Sequence, residues 1–229
     1  MTPRFDLYFH PLASYCHKVL VALYQAEIPF RPIEVDLGDP VQRAALAALW
    51  PIGKFPVLVD RLRGVTVPES TTILEHLALH GGAPALVPSD PDRALEVRAQ
   101  DRFFDLYVHE PMQRIIADLL RPEGSRDPIG VAQARALTDA AYDLAEARMD
   151  GRTFAVGDGF TMADCAAAPA LFYANLSHPL GPTRPNLTAY LARLMARPSF
   201  ARVLREARPW FPYYPLRDRI PVAYPELGA

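Results

Sequence analysis

Cysteine is scarce in this chain of 229 residues, which holds only Cys16 and Cys165, far apart. Two distant cysteines make no disulfide framework, so a reducing cytoplasm is the expected setting. Charge of one sign is also scarce: 24 Lys and Arg against 26 Asp and Glu leave a net charge of −2. Binders of nucleic acid usually carry a basic patch or stripe, and this balance gives no reason to expect one. No apolar run is long enough to span a membrane, and Met1-Thr2-Pro3-Arg4-Phe5-Asp6 lacks the apolar core of a signal peptide. Proline is what the chain has in excess: 24 residues, about twice average usage. The prolines punctuate elements throughout and read as turns and stops. Otherwise the composition is that of a globular protein, with length enough to bury a core.

The first eighty residues alternate in type. Phe5-Asp6-Leu7-Tyr8-Phe9 reads as a short strand ended by His10-Pro11, and from Ser14 onward Val19, Leu20, Ala22, Leu23 and Ala26 recur at helical spacing. Ile28 to Val35 is extended and interrupted by proline, as an edge strand would be. Arg43 to Leu49 predicts a short helix. The runs Pro56 to Asp60 and Gly64 to Val67 flank a turn and predict an antiparallel hairpin, and a helix follows over Ser70 to His80. The order is β-α-β-α-β-β-α, with the middle β-α-β expected to be parallel by the crossover rule.

A breaker-rich connector, Gly81-Gly82-Ala83-Pro84 with Pro88-Ser89-Asp90-Pro91, is the best domain boundary. It divides the chain into 1–82 and 90–229. Beyond it the pattern is all-α: Asp92 to Leu120, Val131 to Met149, a helix starting near Thr161, Leu187 to Leu194, and Phe200 to Ala207. Thr161-Met162-Ala163-Asp164 has the form of a capping box, a helix-nucleating device with no chemistry of its own, worth about 1 kcal/mol or somewhat more. Pro209-Trp210-Phe211-Pro212-Tyr213-Tyr214-Pro215 is too rich in proline for a helix and reads as a pocket cover or a surface tether.

The chemistry concentrates in two stretches. In Gly53-Lys54-Phe55-Pro56-Val57-Leu58-Val59-Asp60 a proline opens a strand, because it cannot donate to a ladder. Phe55 before it is held extended, leaving its backbone groups free to meet something else. In Val67-Pro68-Glu69-Ser70-Thr71-Thr72, Glu69 and Ser70 sit where a helix begins, and a helix N-terminus offers unpaired N–H groups to an anion. A free backbone edge facing an anion-binding turn suits a small peptide ligand.

A β-α-β then β-β-α unit with a proline-led third strand, followed by helices, resembles a cytosolic glutathione transferase. Four places carry the resemblance, from Tyr8 to about Ala207: Ser14-Tyr15-Cys16-His17-Lys18-Val19, the Gly53 to Leu58 run, Glu69-Ser70 with Ile73, Leu74, Glu75 and Leu77, and the capping box. The resemblance implies a thioredoxin-like α/β N-terminal domain and an all-α C-terminal domain. It also implies a cis Phe55–Pro56 bond, with the Phe55 backbone pairing with the cysteinyl part of glutathione. The γ-glutamyl end would fall on Glu69 and Ser70, and Lys54 lies where a cation could pair with the glycyl carboxylate, unless it is a solvated surface lysine.

The same resemblance asks for a group that stabilises the glutathione thiolate. A thiol near pKa 8.5 is a few per cent ionised at pH 7, and lowering it by about two units takes about 2.7 kcal/mol. Ser14, at the start of the first helix, is the expected donor, with Tyr8 as the alternative. Counting back from Lys18-Val19, the family's serine or cysteine falls one position earlier, on Ala13, so this chain departs from the pattern here. The class left open is a serine-type or a zeta- or beta-like bacterial branch. Cys16 is read as a small buried residue, not a redox nucleophile. His76 and His80 stand four apart but lack a third ligand, so no metal is expected. Tyr107, His109, Met112 and Ile116 lie on the helix that faces the second-substrate pocket in that family; their alternative is core.

The function implied is a cytoplasmic, homodimeric transferase that joins glutathione to a hydrophobic electrophile in detoxification. An isomerase of the maleylacetoacetate type, a thiol-disulfide oxidoreductase and a non-catalytic binding or regulatory protein are the alternatives.

Overall fold

The computed structural model describes residues 2–221. Its first unit is built on strand β1 (Phe5–Phe9), whose apolar residues alternate between two faces of a four-stranded sheet. Leu7 and Phe9 point to one core with Val19 and Leu23 of helix α1 (Ser14–Gln25) and Ile73, Leu74 and Leu77 of helix α3 (Ser70–His80). Tyr8 points the other way, onto Val35, Leu46 of helix α2 (Pro40–Leu49), and Val57. Strand β2 (Phe30–Glu34) pairs with β1 in parallel, Phe5 opposite Phe30. Strand β3 (Val57–Asp60) runs antiparallel to β1, and β4 (Val65–Pro68) antiparallel to β3.

The order is therefore β2-β1-β3-β4. The parallel crossover is the first one, β1-α1-β2. The expectation for the middle unit is corrected: β1 lies between β2, parallel to it, and β3, antiparallel to it, and the crossover rule governs the hand of a connection between parallel strands without making two strands parallel. Pro32 sits inside β2 and is tolerated because β2 is an edge strand. Helix α2 starts three residues before the predicted Arg43, where Asp39 caps the amides of Val41 and Gln42 and Pro40 takes the first helical position.

The second unit holds α4 (Pro91–Phe103), α5 (Glu110–Leu119), α6 (Pro128–Arg148), α7 (Met162–Ser177), α8 (Pro185–Ala196) and α9 (Pro198–Ala207). The alanine-rich α7 is its centre, with every residue but Asn175 buried, and small side chains let neighbouring backbones come close. Between α4 and α5 the helix widens into a π turn, Phe104–His109, where an uninterrupted α-helix had been expected. Pro111 explains it. Its ring would clash with the Tyr107 carbonyl in a straight α-helix and it has no N–H to donate, so one extra residue is taken up in the turn before it. Within that turn Asp105 and His109 are both buried.

The tail forms a 3₁₀ helix over Arg208–Tyr213, so the expectation of no helix there is corrected; a proline spacing of three suits this tighter helix. Phe211 and Tyr214 join the core, and Trp210 sets its edge against His10 at 5.1 Å between ring centroids. One continuous apolar cluster runs through both units.

Candidate active site

A cleft of about 460 Å³ opens between the two units, lined by Tyr15, Trp50, Lys54, Phe55, Pro56, Glu69, Ser70, Thr71, Thr72, Arg102 and Asp105. All five residues expected to hold the ligand (Lys54, Phe55, Pro56, Glu69 and Ser70) are brought together in it. The Phe55–Pro56 peptide is cis. Glu69 takes a left-handed backbone, φ 67°, a conformation that costs a non-glycine residue about 1–3 kcal/mol and clusters at functional turns. Ser70 is the first residue of α3, so its own N–H and those of Thr71 and Thr72 have no partners within the helix. An anion in the cleft would meet these amides and the positive end of the α3 dipole.

A second helix start reaches the same cleft. Helix α1 begins at Ser14 with no acidic residue in its first turn and no side-chain cap on Ala13, so its positive end is uncompensated. Tyr15 enters the cleft, whereas Ser14 is buried and turned toward the helical unit. There its Oγ lies 2.5 Å from His109 Nε2 and accepts from Gln113 Nε2 at 3.1 Å. The Tyr15 ring stacks on His109 at 3.8 Å between centroids, and burial raises its phenol well above the ordinary tyrosine range. Tyr8, the alternative donor, lies on the opposite face of the sheet, packed against Val35, Leu46 and Val57.

Below the cleft floor lies an ion network. Lys18 Nζ, fully buried, forms an ion pair with Asp101 Oδ1 at 2.7 Å and donates to Asp105 Oδ2 at 2.8 Å and Thr71 Oγ1 at 2.8 Å. Thr71 donates in turn to Asp101 at 2.7 Å. Burial raises the pKa of the Asp101 carboxyl, and the pull of Lys18 offsets that rise only in part. Arg102, on the cleft wall, reaches Asp105 at 3.2 Å.

The remaining expected residues are placed as follows. Cys16 is fully buried and burial pushes its thiol up to about 12, so it is a packed thiol and not a thiolate at neutral pH. His76 is spent on Asp60 at 2.9 Å, beside Arg4, whose bond to Asp60 holds that carboxyl well below its usual range. His80 packs edge-on against His76. No group of three metal-capable side chains occurs among the described residues. Met112 and Ile116 are buried in the core, His109 is buried against Ser14, and Tyr107 is half exposed against Phe103. Sequence reasoning missed Tyr15, Trp50, Thr71, Thr72, Arg102 and Asp105 as cleft residues. Tyr15 was within reach as the neighbour of Ser14; Arg102 and Asp105 arrive from a distant helix and carry no local signal.

Comparisons with known proteins agree with this geometry. Residues 7–85 match the model of the glutathione S-transferase N-terminal domain, and residues 128–193 that of the C-terminal domain. The chain is 28% identical to glutathione S-transferase GstB of Escherichia coli (strain K12), over 82% of this chain and 91% of that one. It is 30% identical to maleylacetoacetate isomerase maiA of Aspergillus fumigatus, over 75% and 77%. Among solved structures, a glutathione S-transferase from Methylobacillus flagellatus with GSH bound superposes with a TM-score of 0.79 at 25% identity, covering 87% of this chain and 98% of that one. A sheet of order β2-β1-β3-β4 joined to a helical unit over a cleft with two open helix starts, matched at both ends by the family's models, makes this chain a member of the glutathione S-transferase family.

Proposed function

We propose that this protein binds glutathione in the cleft and transfers its thiolate to a hydrophobic electrophile. The observation that carries the reading is the convergence of two uncapped helix N-termini, at Tyr15 and Ser70, on one cleft that also holds Glu69 and Lys54. Each part of the tripeptide has a complement there. Its ammonium meets the Glu69 carboxylate, and its α-carboxylate meets the Ser70 hydroxyl and the first amides of α3. The Phe55 backbone pairs with the cysteinyl amide, and Lys54 faces the glycyl carboxylate. The sulfur is then directed at the start of α1, where the helix dipole and the Ser14 hydroxyl stabilise negative charge. The unit 1–82 holds glutathione, and 90–229, whose last eight residues lie outside the described ones, roofs the cleft and bounds the electrophile; of Tyr107, His109, Met112 and Ile116, Tyr107 is half exposed and the other three are buried. GSH bound to the similar Methylobacillus flagellatus protein supports the choice of ligand.

A maleylacetoacetate-type isomerase is the second reading, favoured by the 30% identity to maiA; it uses the same thiolate as a reversible nucleophile. A homodimer is the proposed assembly. Exposed Leu62, Val65 and Leu79 border one surface depression with Arg4, Arg63 and His80, and a mass in solution of twice 25.4 kDa is the check.

The test is retention on immobilised glutathione followed by turnover. The protein is expected to bind and to conjugate a standard aromatic electrophile. Glu69→Ala should weaken binding by about 1.5–3 kcal/mol, the range of a charge-assisted bond. Binding without conjugation or isomerisation would leave a non-catalytic binding protein, and no binding would refute the site.

A further inference from the structure

We infer that His109 and Gln113, from the helical unit, are positioning residues that turn the Ser14 hydroxyl proton toward the glutathione sulfur; this rests on the reading of the cleft above. Ser14 Oγ lies 2.5 Å from His109 Nε2 and 3.1 Å from the Gln113 side-chain nitrogen, which donates to it. The direction of the first bond decides where the Ser14 proton goes. His109 is fully buried, and its Nδ1 has no hydrogen-bond partner among the described residues. With the proton on Nδ1, a buried N–H would be orphaned. With the proton on Nε2, a lone pair is left over and the Gln113 side-chain nitrogen, 3.4 Å from Nε2, keeps its shorter bond to Ser14, which is the smaller penalty.

The imidazole is uncharged, since burial, with Lys18 and His17 nearby, pushes its pKa down to about 3. A single ring proton is thus shared between two positions, and geometry assigns it to Nε2, donating to Ser14. Ser14 Oγ then accepts twice, from His109 and from Gln113. Its own proton is left for a third partner, and the residue next to it, Tyr15, already lines the cleft. Two donors on one hydroxyl oxygen polarise its O–H and strengthen it as a donor. The stack of Tyr15 on His109 fixes the ring that does this. The C-terminal unit therefore sets the strength of a donor carried by the N-terminal one, and Ser14 serves although it stands one residue past the usual position.

The experiment reads the ultraviolet absorbance of the thiolate of bound glutathione against pH in four proteins: parent, His109→Phe, His109→Gln and Gln113→Leu. Each is repeated in a Ser14→Ala background. Phenylalanine keeps a ring against Tyr15 and removes the donor; glutamine restores a donor at the same reach. The expected result is a thiolate fraction at neutral pH reduced roughly two- to tenfold by His109→Phe, the effect of one neutral hydrogen bond. His109→Gln should recover it, Gln113→Leu should lower it, and none of the three should matter once Ser14 is alanine. A His109→Phe titration identical to the parent's would overturn the inference, and so would an effect that persists in the Ser14→Ala background. If His109→Phe does not fold, Gln113→Leu carries the same comparison. Failure of the glutathione reading looks different: the parent itself would bind no glutathione and give no thiolate signal, and the inference would fall with it.

Discussion

His17 and His109 are both held inside the protein without charge. His17 donates from Nε2 to the Pro11 carbonyl at 2.6 Å, and burial pushes its pKa down to about 4; that of His109 falls to about 3. In the unfolded chain a histidine titrates near 6.5. Between these values the unfolded state binds a proton that the native state refuses, so stability rises with pH. Their contribution is intact above pH 6.5 and lost as pH falls toward 4, at roughly 1.4 kcal/mol per pH unit for each histidine. His17→Gln keeps a donor for Pro11 and removes one titration. Between pH 7 and pH 5 the parent should lose roughly 2 kcal/mol more than this variant, read from urea midpoints at the two values. Parallel losses would mean that His17 is not the neutral residue described. At this scale the gathering of Phe55-Pro56 and Glu69-Ser70 in one cleft was legible, because they are local backbone punctuation. The surroundings of Ser14 were not: its hydroxyl meets His109 and Gln113, nearly a hundred residues away, and these bonds depend on which way one side chain turns.

Element boundaries were set mostly by local signals: the Thr161-to-Asp164 cap was read as one, whereas Asp39 with Pro40, a signal of the same kind, was passed over in favour of Arg43. The π turn was not read, although its cause, Pro111, was in plain view; a proline inside a helical pattern signals a break or a kink, and only the packing of α4 and α5 against α7 decides that the helix goes on instead. The capping box likewise proves more than a local device. Asp164 is fully buried and accepts four bonds, from the Ala155 amide, the Tyr190 hydroxyl, and the amide and hydroxyl of Thr161, at 2.9, 2.6, 2.9 and 3.2 Å. It ties the start of α7 to the loop before it and to α8. Thr161→Ala should therefore cost about 1 kcal/mol, the value of a cap. Asp164→Ala, which leaves a buried amide and a buried phenol unpaired, should cost about 3 kcal/mol or more. Equal losses in urea denaturation would reduce Asp164 to an ordinary capping residue.

At the scale of the molecule, two structural classes share one core, and the join is made by a buried charge. Lys18 belongs to α1, Thr71 to α3, Asp101 to α4 and Asp105 to the π turn, so one ammonium fastens the sheet unit to the helical unit directly beneath the cleft. Neither half of this contact announces itself in the chain: no local spacing pairs Lys18 with carboxylates that stand more than eighty residues away. Taking the lysine away leaves two carboxylates in the interior with Arg102 the remaining cation within reach of Asp105. Breaking a buried pair by removing one partner costs about 3–5 kcal/mol, because the uncompensated charge stays behind. Lys18→Met should lose that much. Because the apolar cluster is continuous across both units, the loss should appear as one transition moved to lower urea, not as two separate ones. Trp50 stands at the cleft and Trp210 on His10 beside the tail, so tryptophan fluorescence and far-ultraviolet dichroism should report the same midpoint in parent and variant. A variant in which fluorescence moves first would mean that the Lys18 cluster holds together two units able to unfold on their own. Adding Asp101→Leu and Asp105→Leu to Lys18→Met should recover most of the stability, since apolar residues in place of a buried ion cluster are commonly neutral or stabilising.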